Sequence, residues 1–168
     1  MEETHPAFLH EADRDRICRR VIDALMEQGY DEGSMRRTEA FVLTTEEGEL
    51  HIPIDVLVHL EGRPVLLFKC VRGHLSTRER AALSLARLLG EKPIPFAIVA
   101  NETDAAVFDA ITGKSVGHGY GAFPSPETTL QRLRESAGTR IPAAQREREK
   151  RILLTYYHLR CSVDLEPF

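Results

Sequence analysis

The 168-residue chain is short of several things that would narrow its function at once. It has only three cysteines, Cys18, Cys70 and Cys161, odd in number and far apart. No CxxC or Cys/His spacing accompanies them, so neither a disulfide framework nor a zinc site is expected, and reduced cytosolic thiols fit best. No stretch approaches the ~18 consecutive apolar residues that a bilayer-spanning helix needs, so no membrane association is expected. The opening MEETHPAFLHEADRD is acidic and lacks the basic start and apolar run of a signal peptide, which leads us to expect a cytoplasmic protein. Positive charge is not in excess either. With 22 Lys and Arg against 26 Asp and Glu, the net charge of -4 argues against a strongly basic nucleic-acid binder and leaves a local basic patch open. Internal repeats and low-complexity tracts are also missing.

What is present is an ordinary globular composition. Hydrophobic residues make up 42% of the chain and charged residues 29%, enough for one domain with its own core and no need of a staple. In residues 13–28, Ile17, Val21, Ile22, Leu25 and Met26 recur on one helical face, opposite Arg16, Arg19, Arg20 and Asp23. Gly29 stands where a helix ends. Residues 38–45 are β-branched and aromatic and read as a strand. EEGE at 46–49 reads as a hairpin turn, 50–60 as a second strand, EGRP at 61–64 as another turn, and 65–71 as a third strand. Ser76 with Glu79 matches a capping box ahead of a helix that carries Leu83, Leu85, Leu88 and Leu89 and closes at Gly90.

Residues 95–101 and 105–113 read as two further strands, and SVGHGYGAFPSP as a Gly/Pro-rich connection. Ser125 and Pro126 start a helix to about residue 136, and AAQREREKRILLTYYHLR is a charged helix that turns apolar. The order α-β-β-β-α-β-β-α-α predicts an α/β (α+β) domain, a mixed sheet flanked by helices. Its parts are an N-terminal tail at 1–12, a core at 13–125, and a C-terminal helical extension and tail at 126–168. The terminal YYHLRCSVDLEPF reads as an apolar helix followed by a short β-like tail that packs either on its own domain or on a second copy, so a homodimer or another protein subunit is an expected partner.

The chemically informative stretch is IPIDVLVHLEGRPVLLFKCVRG, residues 52–73. Strand alternation puts Leu67, Lys69 and Val71 on one face and Phe68 and Cys70 on the other. Asp55, on the neighbouring strand, falls beside Lys69. A buried carboxylate or ammonium is costly alone, and an Asp55–Lys69 pair meets both needs.

This stretch resembles the N-terminal nuclease domain of type I restriction enzyme R subunits, which belongs to the PD-(D/E)xK restriction-endonuclease-like superfamily. That pattern has an Asp in the second strand, an x-G-x-P turn, an apolar run and Glu-x-Lys. LMEQGY and the run from ALSLARLLGEKPIPFAIVANETDAAVFDAITGK are similar to its first helix and its later helix, core strand and turn, so the resemblance covers roughly residues 13–117. It implies a restriction-endonuclease-like fold. Carried over position by position, it puts Asp55 on the metal-binding aspartate, Lys69 on the second acidic ligand and Val71 on the catalytic lysine. Pro53 stands two residues before Asp55. Asp15 and Glu39 match further acidic positions weakly.

In such nucleases two carboxylates and a backbone carbonyl hold Mg2+, which activates water for phosphodiester cleavage. An ammonium in place of the second carboxylate repels that ion, by on the order of 4 kcal/mol per unit charge at ~4 Å and an effective dielectric near 20. The resemblance therefore implies a degenerate site, with Asp55 and Lys69 in catalytic positions but no cleavage and no cofactor. Rearranged groups, with Lys69 acting from one pleat away and Glu39 or Asp15 supplying a carboxylate, would make it an active Mg2+-dependent DNA endonuclease with Asp55 as metal ligand. Arg72, His74, Arg78 and Arg80 form a modest basic cluster that is a candidate for phosphate contacts with DNA. A purely structural or oligomeric protein is the third expectation.

Other features have plainer readings. The histidines, among them His51, His59, His74, His118 and His158, show no metal-ligand spacing on a helix. Cys70 reads as a small core residue. VGHGYG lacks the frame of a phosphate loop. REREKR, 146–151, reads as a solvated helix face.

Overall fold

The structure is a computed structural model and describes residues 6–163. Among the described residues four α-helices flank one six-stranded sheet. In chain order they are α1 (Pro6–Glu27), β1 (Met35–Thr45), β2 (Gly48–Leu60), β3 (Arg63–Cys70), α2 (Ser76–Leu88), β4 (Phe96–Ala100), β5 (Ala105–Asp109), β6 (Ser115–His118), α3 (Pro126–Glu135) and α4 (Ala143–Val163). The sheet order is β1-β2-β3-β4-β5-β6, and the β3–β4 pair alone is parallel. Short turns join the antiparallel pairs. The parallel pair needs a crossover, which α2 supplies. The expected α/β (α+β) mixed sheet flanked by helices is what the chain forms.

Each face of the sheet carries its own apolar layer. On one side Ile17, Cys18, Val21 and Leu25 of α1, with Leu133 of α3, pack on Val56, Val58, Phe68, Cys70, Ile98 and Val107. On the other, Leu83, Leu85 and Leu88 of α2 and Leu153 of α4 pack on Leu57, Leu67, Val71, Val99 and Phe108. The alternation expected for β3 therefore holds. In β2 the even-numbered residues change layer at Asp55: Ile52 and Ile54 belong to the α2 side, Val56 and Val58 to the α1 side.

Several local expectations are corrected. Met26, expected on the inward stripe of α1, is 46% exposed, and α1 starts at Pro6, within the stretch read as a tail. The Ser76 capping box does not form. Ser76 is the first helical residue, Leu75 before it is already helical with no side-chain cap bond, and Thr77 Oγ1 donates to His74 O instead. The Gly-rich connection contains a strand, β6. A Cβ on Gly117 would meet the Ala122 Cβ at 2.8 Å, so only glycine lets the following turn pack there. The Ser125 cap is as expected, its hydroxyl accepting the Thr128 N–H. The C-terminal tail beyond residue 163, read as β-like, lies outside the described residues, while 161–163 are helical.

REREKR is not merely a solvated face. Glu149 is 1% exposed and is held by Ser84, Arg87 and Arg80. Arg146 donates to the carbonyls of Arg87, Leu88 and Gly90. One turn of a charge run thus docks α4 on α2. Burial pushes the Glu149 carboxyl up, but the Ser84 and Arg87 hydrogen bonds and the Arg80 charge outweigh it and hold it below its ordinary value.

Candidate functional site

The site is built on the β2–β3 hairpin. Glu61 and Gly62 both take positive φ, 52° and 74°, the pattern of a two-residue type I′ turn that fits the twist of the strands. The ladder then pairs Leu60 with Arg63 and, after a register shift between Val58 and His59, Val56 with Phe68. One residue beyond that pair, side chains take over from the backbone. Asp55 Oδ2 accepts the N–H of Cys70 at 2.8 Å. Lys69 Nζ stands 3.6 Å from the same oxygen and donates to Pro53 O at 2.6 Å. Asp55 is 4% exposed and Lys69 5%, so the pair expected from the sequence is a buried one.

A third group, absent from the sequence reading, completes the site. Arg14 of α1 reaches over the sheet and puts Nε 2.7 Å from Asp55 Oδ1. That oxygen accepts no directed hydrogen bond, so the contact is a charge pair rather than an aligned N–H···O bond. The signal for Arg14 was its spacing: it lies four residues before Cys18 and seven before Val21, on the inward stripe of α1. One carboxylate is therefore flanked by two cations. Burial pushes the Lys69 ammonium down from its ordinary value; Asp55 opposes this, and Arg14 and Arg78 add to it.

The other expected site residues are dispersed. Val71 points into the α2-side layer. Asp15 pairs with Arg37 at 2.6 Å, and Glu39 is exposed on β1 opposite Ile54. Among the described residues no cluster of three or more His, Cys, Asp or Glu side chains is placed to hold a metal ion. The basic cluster divides in two. Arg78 stacks on the Tyr156 ring and bonds its hydroxyl, and Arg80 pairs with Glu149, so both face α4. Arg72 and His74 instead line a groove of about 510 Å³, with Asp13, Arg16, Ile17, Val71, Asn101 and Glu102, between α1 and the ends of β3 and β4. Arg72 pairs with Asp13 at 3.4 Å, and Arg16 with Asp13 and Glu102 at 3.2 and 3.3 Å.

Behind the hairpin, on the α1 face, the Cys70 thiol meets that of Cys18, Sγ to Sγ 3.4 Å, and both are buried and free. Cys70 is a core residue facing away from Lys69, as expected, but its partner was not legible from spacing. Of the histidines, His51 pairs with Glu49 at 3.4 Å in the open. Burial, with Arg36 nearby, pushes His59 below its ordinary value.

No protein-family model and no curated protein matches the chain. Among solved structures, it is similar to a fragment described as an HsdR subunit of a type I restriction enzyme from Vibrio vulnificus YJ016, at 22% identity and a TM-score of 0.57. The match covers 76% of this chain and 26% of that one, so the chain spans about a quarter of the length of its structural neighbour. The likeness is one of fold: a restriction-endonuclease-like mixed sheet with helices on both faces. No helix among the described residues is long and apolar enough to cross a membrane.

Proposed function

We propose that the chain is a restriction-endonuclease-like domain that has lost metal-dependent cleavage and acts by binding, with a nucleic-acid backbone as the partner. The observation that carries the first half is the charge set at Asp55. A nuclease of this fold needs a second carboxylate there to hold Mg2+. Here the carboxylate faces the Lys69 ammonium at 3.6 Å and the Arg14 guanidinium at 2.7 Å. A divalent cation entering this site would meet one anionic ligand and two cations, and Val71 offers no group to orient water. The residues present do not fit the metal.

The binding half is supported by the groove beside this hairpin. Arg16 and Arg72 are the exposed cations on it, and their pairs with Asp13 and Glu102 are solvent-screened. Exposed pairs of this kind contribute little, so phosphate oxygens can replace those carboxylates at small cost.

The test is a duplex-DNA binding titration across salt concentrations, run beside a cleavage assay with Mg2+ and with Mn2+. Binding that weakens with salt, with the slope reduced by about 1 for each of Arg16→Ala and Arg72→Ala, is the expected result. Cleavage should be absent with either metal. No binding even at low salt would defeat the binding role in favour of a structural or oligomeric protein. Mn2+-dependent cleavage abolished by Asp55→Asn would defeat the loss of catalysis and restore the rearranged-nuclease reading.

A further inference from the structure

We propose that Cys18 and Cys70 are a reversible oxidation site, a dithiol that small hydroperoxides convert to a disulfide joining α1 to β3. The two sulfurs lie 3.4 Å apart, on elements 52 residues apart in sequence. A disulfide holds its sulfurs about 2.05 Å apart, so closure asks for ~1.4 Å of approach between a helix and the strand it already packs on. The plain alternative is two small core side chains in van der Waals contact. Two further observations go beyond that.

The first is asymmetry. The two thiols share a hydrogen bond; that contact and the Arg37 guanidinium hold Cys18 below its ordinary value against burial and the Asp55 charge, while the same contact and burial push Cys70 well up. The second is access. The groove between α1 and the ends of β3 and β4 is lined by Ile17, the immediate chain neighbour of Cys18 and a member of the same apolar layer. Cys18 itself is 1% exposed, so a hydroperoxide entering there reaches it when α1 opens.

The chemistry closes on itself. The Cys18 thiolate attacks one peroxide oxygen and breaks the O–O bond. This gives a sulfenic acid and a hydroxide, which takes up the Cys18 proton as water. The Cys70 sulfur then attacks the sulfenic sulfur and breaks the S–O bond, and the departing hydroxide leaves as water with the Cys70 proton. Two thiols and one hydrogen peroxide give one disulfide and two waters. The second step is intramolecular between groups already in contact, so it outruns further oxidation of Cys18 to the sulfinic acid. The bond would fix α1, which carries Arg14, to the residue whose N–H bonds Asp55.

The test uses the full chain carrying Cys161→Ser, treated with hydrogen peroxide, unfolded in excess iodoacetamide and mapped by mass spectrometry. The expected result is loss of two alkylatable thiols and a Cys18–Cys70 cross-linked peptide pair, lighter by about 2 Da than the two reduced peptides together and reversed by dithiothreitol. The cross-linked chain should also melt at a higher temperature than the reduced one. In Cys70→Ser the reaction should stop at a Cys18 sulfenic acid that dimedone traps. If that variant does not fold, the peptide map of the Cys161→Ser chain decides alone. Full alkylation of both cysteines after oxidation, or sulfinic acid with no cross-link, would overturn the proposal.

Discussion

Replacing Lys69 by methionine keeps most of the side chain's volume and removes its charge, which isolates what the ammonium does for Asp55. The Nζ–Oδ2 separation of 3.6 Å corresponds to roughly 4–5 kcal/mol of gross attraction at an effective dielectric near 20. Desolvating two buried groups opposes that, so the net worth of the pair is far smaller than the gross figure. Breaking it is another matter. Lys69→Met leaves Asp55 buried with the Cys70 N–H and an unaligned Arg14, and leaves Pro53 O without its donor. We expect a cost of about 3 kcal/mol, at the low end of the range for orphaning a buried charge because two of the partners remain. Asp55→Asn should cost about as much, since Lys69 then keeps only a carbonyl. The double variant should cost about 3–4 kcal/mol rather than the sum, a coupling of about 2–3 kcal/mol. Urea unfolding of the four proteins at neutral pH, with slopes compared to confirm a common transition, measures each term. Additivity within about 0.5 kcal/mol would mean instead that the two groups do not depend on each other.

Other outcomes follow from the same structure. Restoring the charge pattern of a metal site with Arg14→Ala, Lys69→Glu and Val71→Lys together should give a chain whose melting temperature rises with Mn2+, by the equivalent of about 2.7 kcal/mol at a hundredfold excess over Kd; the unaltered chain should show no such rise in the same melts. Glu149→Ala should cost about 3 kcal/mol by stranding Arg87 at the α2–α4 contact, with the change read by urea unfolding. Because the Glu149 carboxyl is held below its ordinary value of 4.5, its contribution is fully present above that pH and is lost as the pH falls through the folded-state value, so unfolding curves of the two proteins should converge in acid. Glu61→Asn should stabilise by about 0.5 kcal/mol, since asparagine tolerates the left-handed φ of 52° that glutamate holds in the turn, and the exposed Arg134 contact it loses at 3.8 Å is worth little.

The hairpin at the centre of the site was legible because strand physics is local. A period of two, a Gly in the turn and a lone cation in an apolar run were enough to place Asp55 beside Lys69. The helix caps were legible only in part: Ser125 caps as its sequence indicates, whereas at Ser76 an earlier turn through Leu75 displaces the capping box. Strand β6 escaped notice because it is a four-residue edge strand of mostly exposed residues, with a glycine where packing leaves no room for a side chain. Arg14, Glu149 and the Cys18–Cys70 contact escaped for a different reason. Each depends on two elements distant in sequence, and a charge run or an isolated cysteine has the same local signature in solvent as it has against a partner. The basic cluster shows the converse: four residues close in sequence, Arg72, His74, Arg78 and Arg80, part at the start of α2 into two toward the groove and two toward α4.

On the function proposed above, protein cations occupy the charge balance at Asp55 where a nuclease of this fold would hold a metal. Calorimetric titration of Mn2+ into the unaltered chain and into Asp55→Asn addresses it directly. The expected result is no saturable heat that distinguishes the two proteins. A micromolar Mn2+ site present in the unaltered chain and abolished by Asp55→Asn would contradict it.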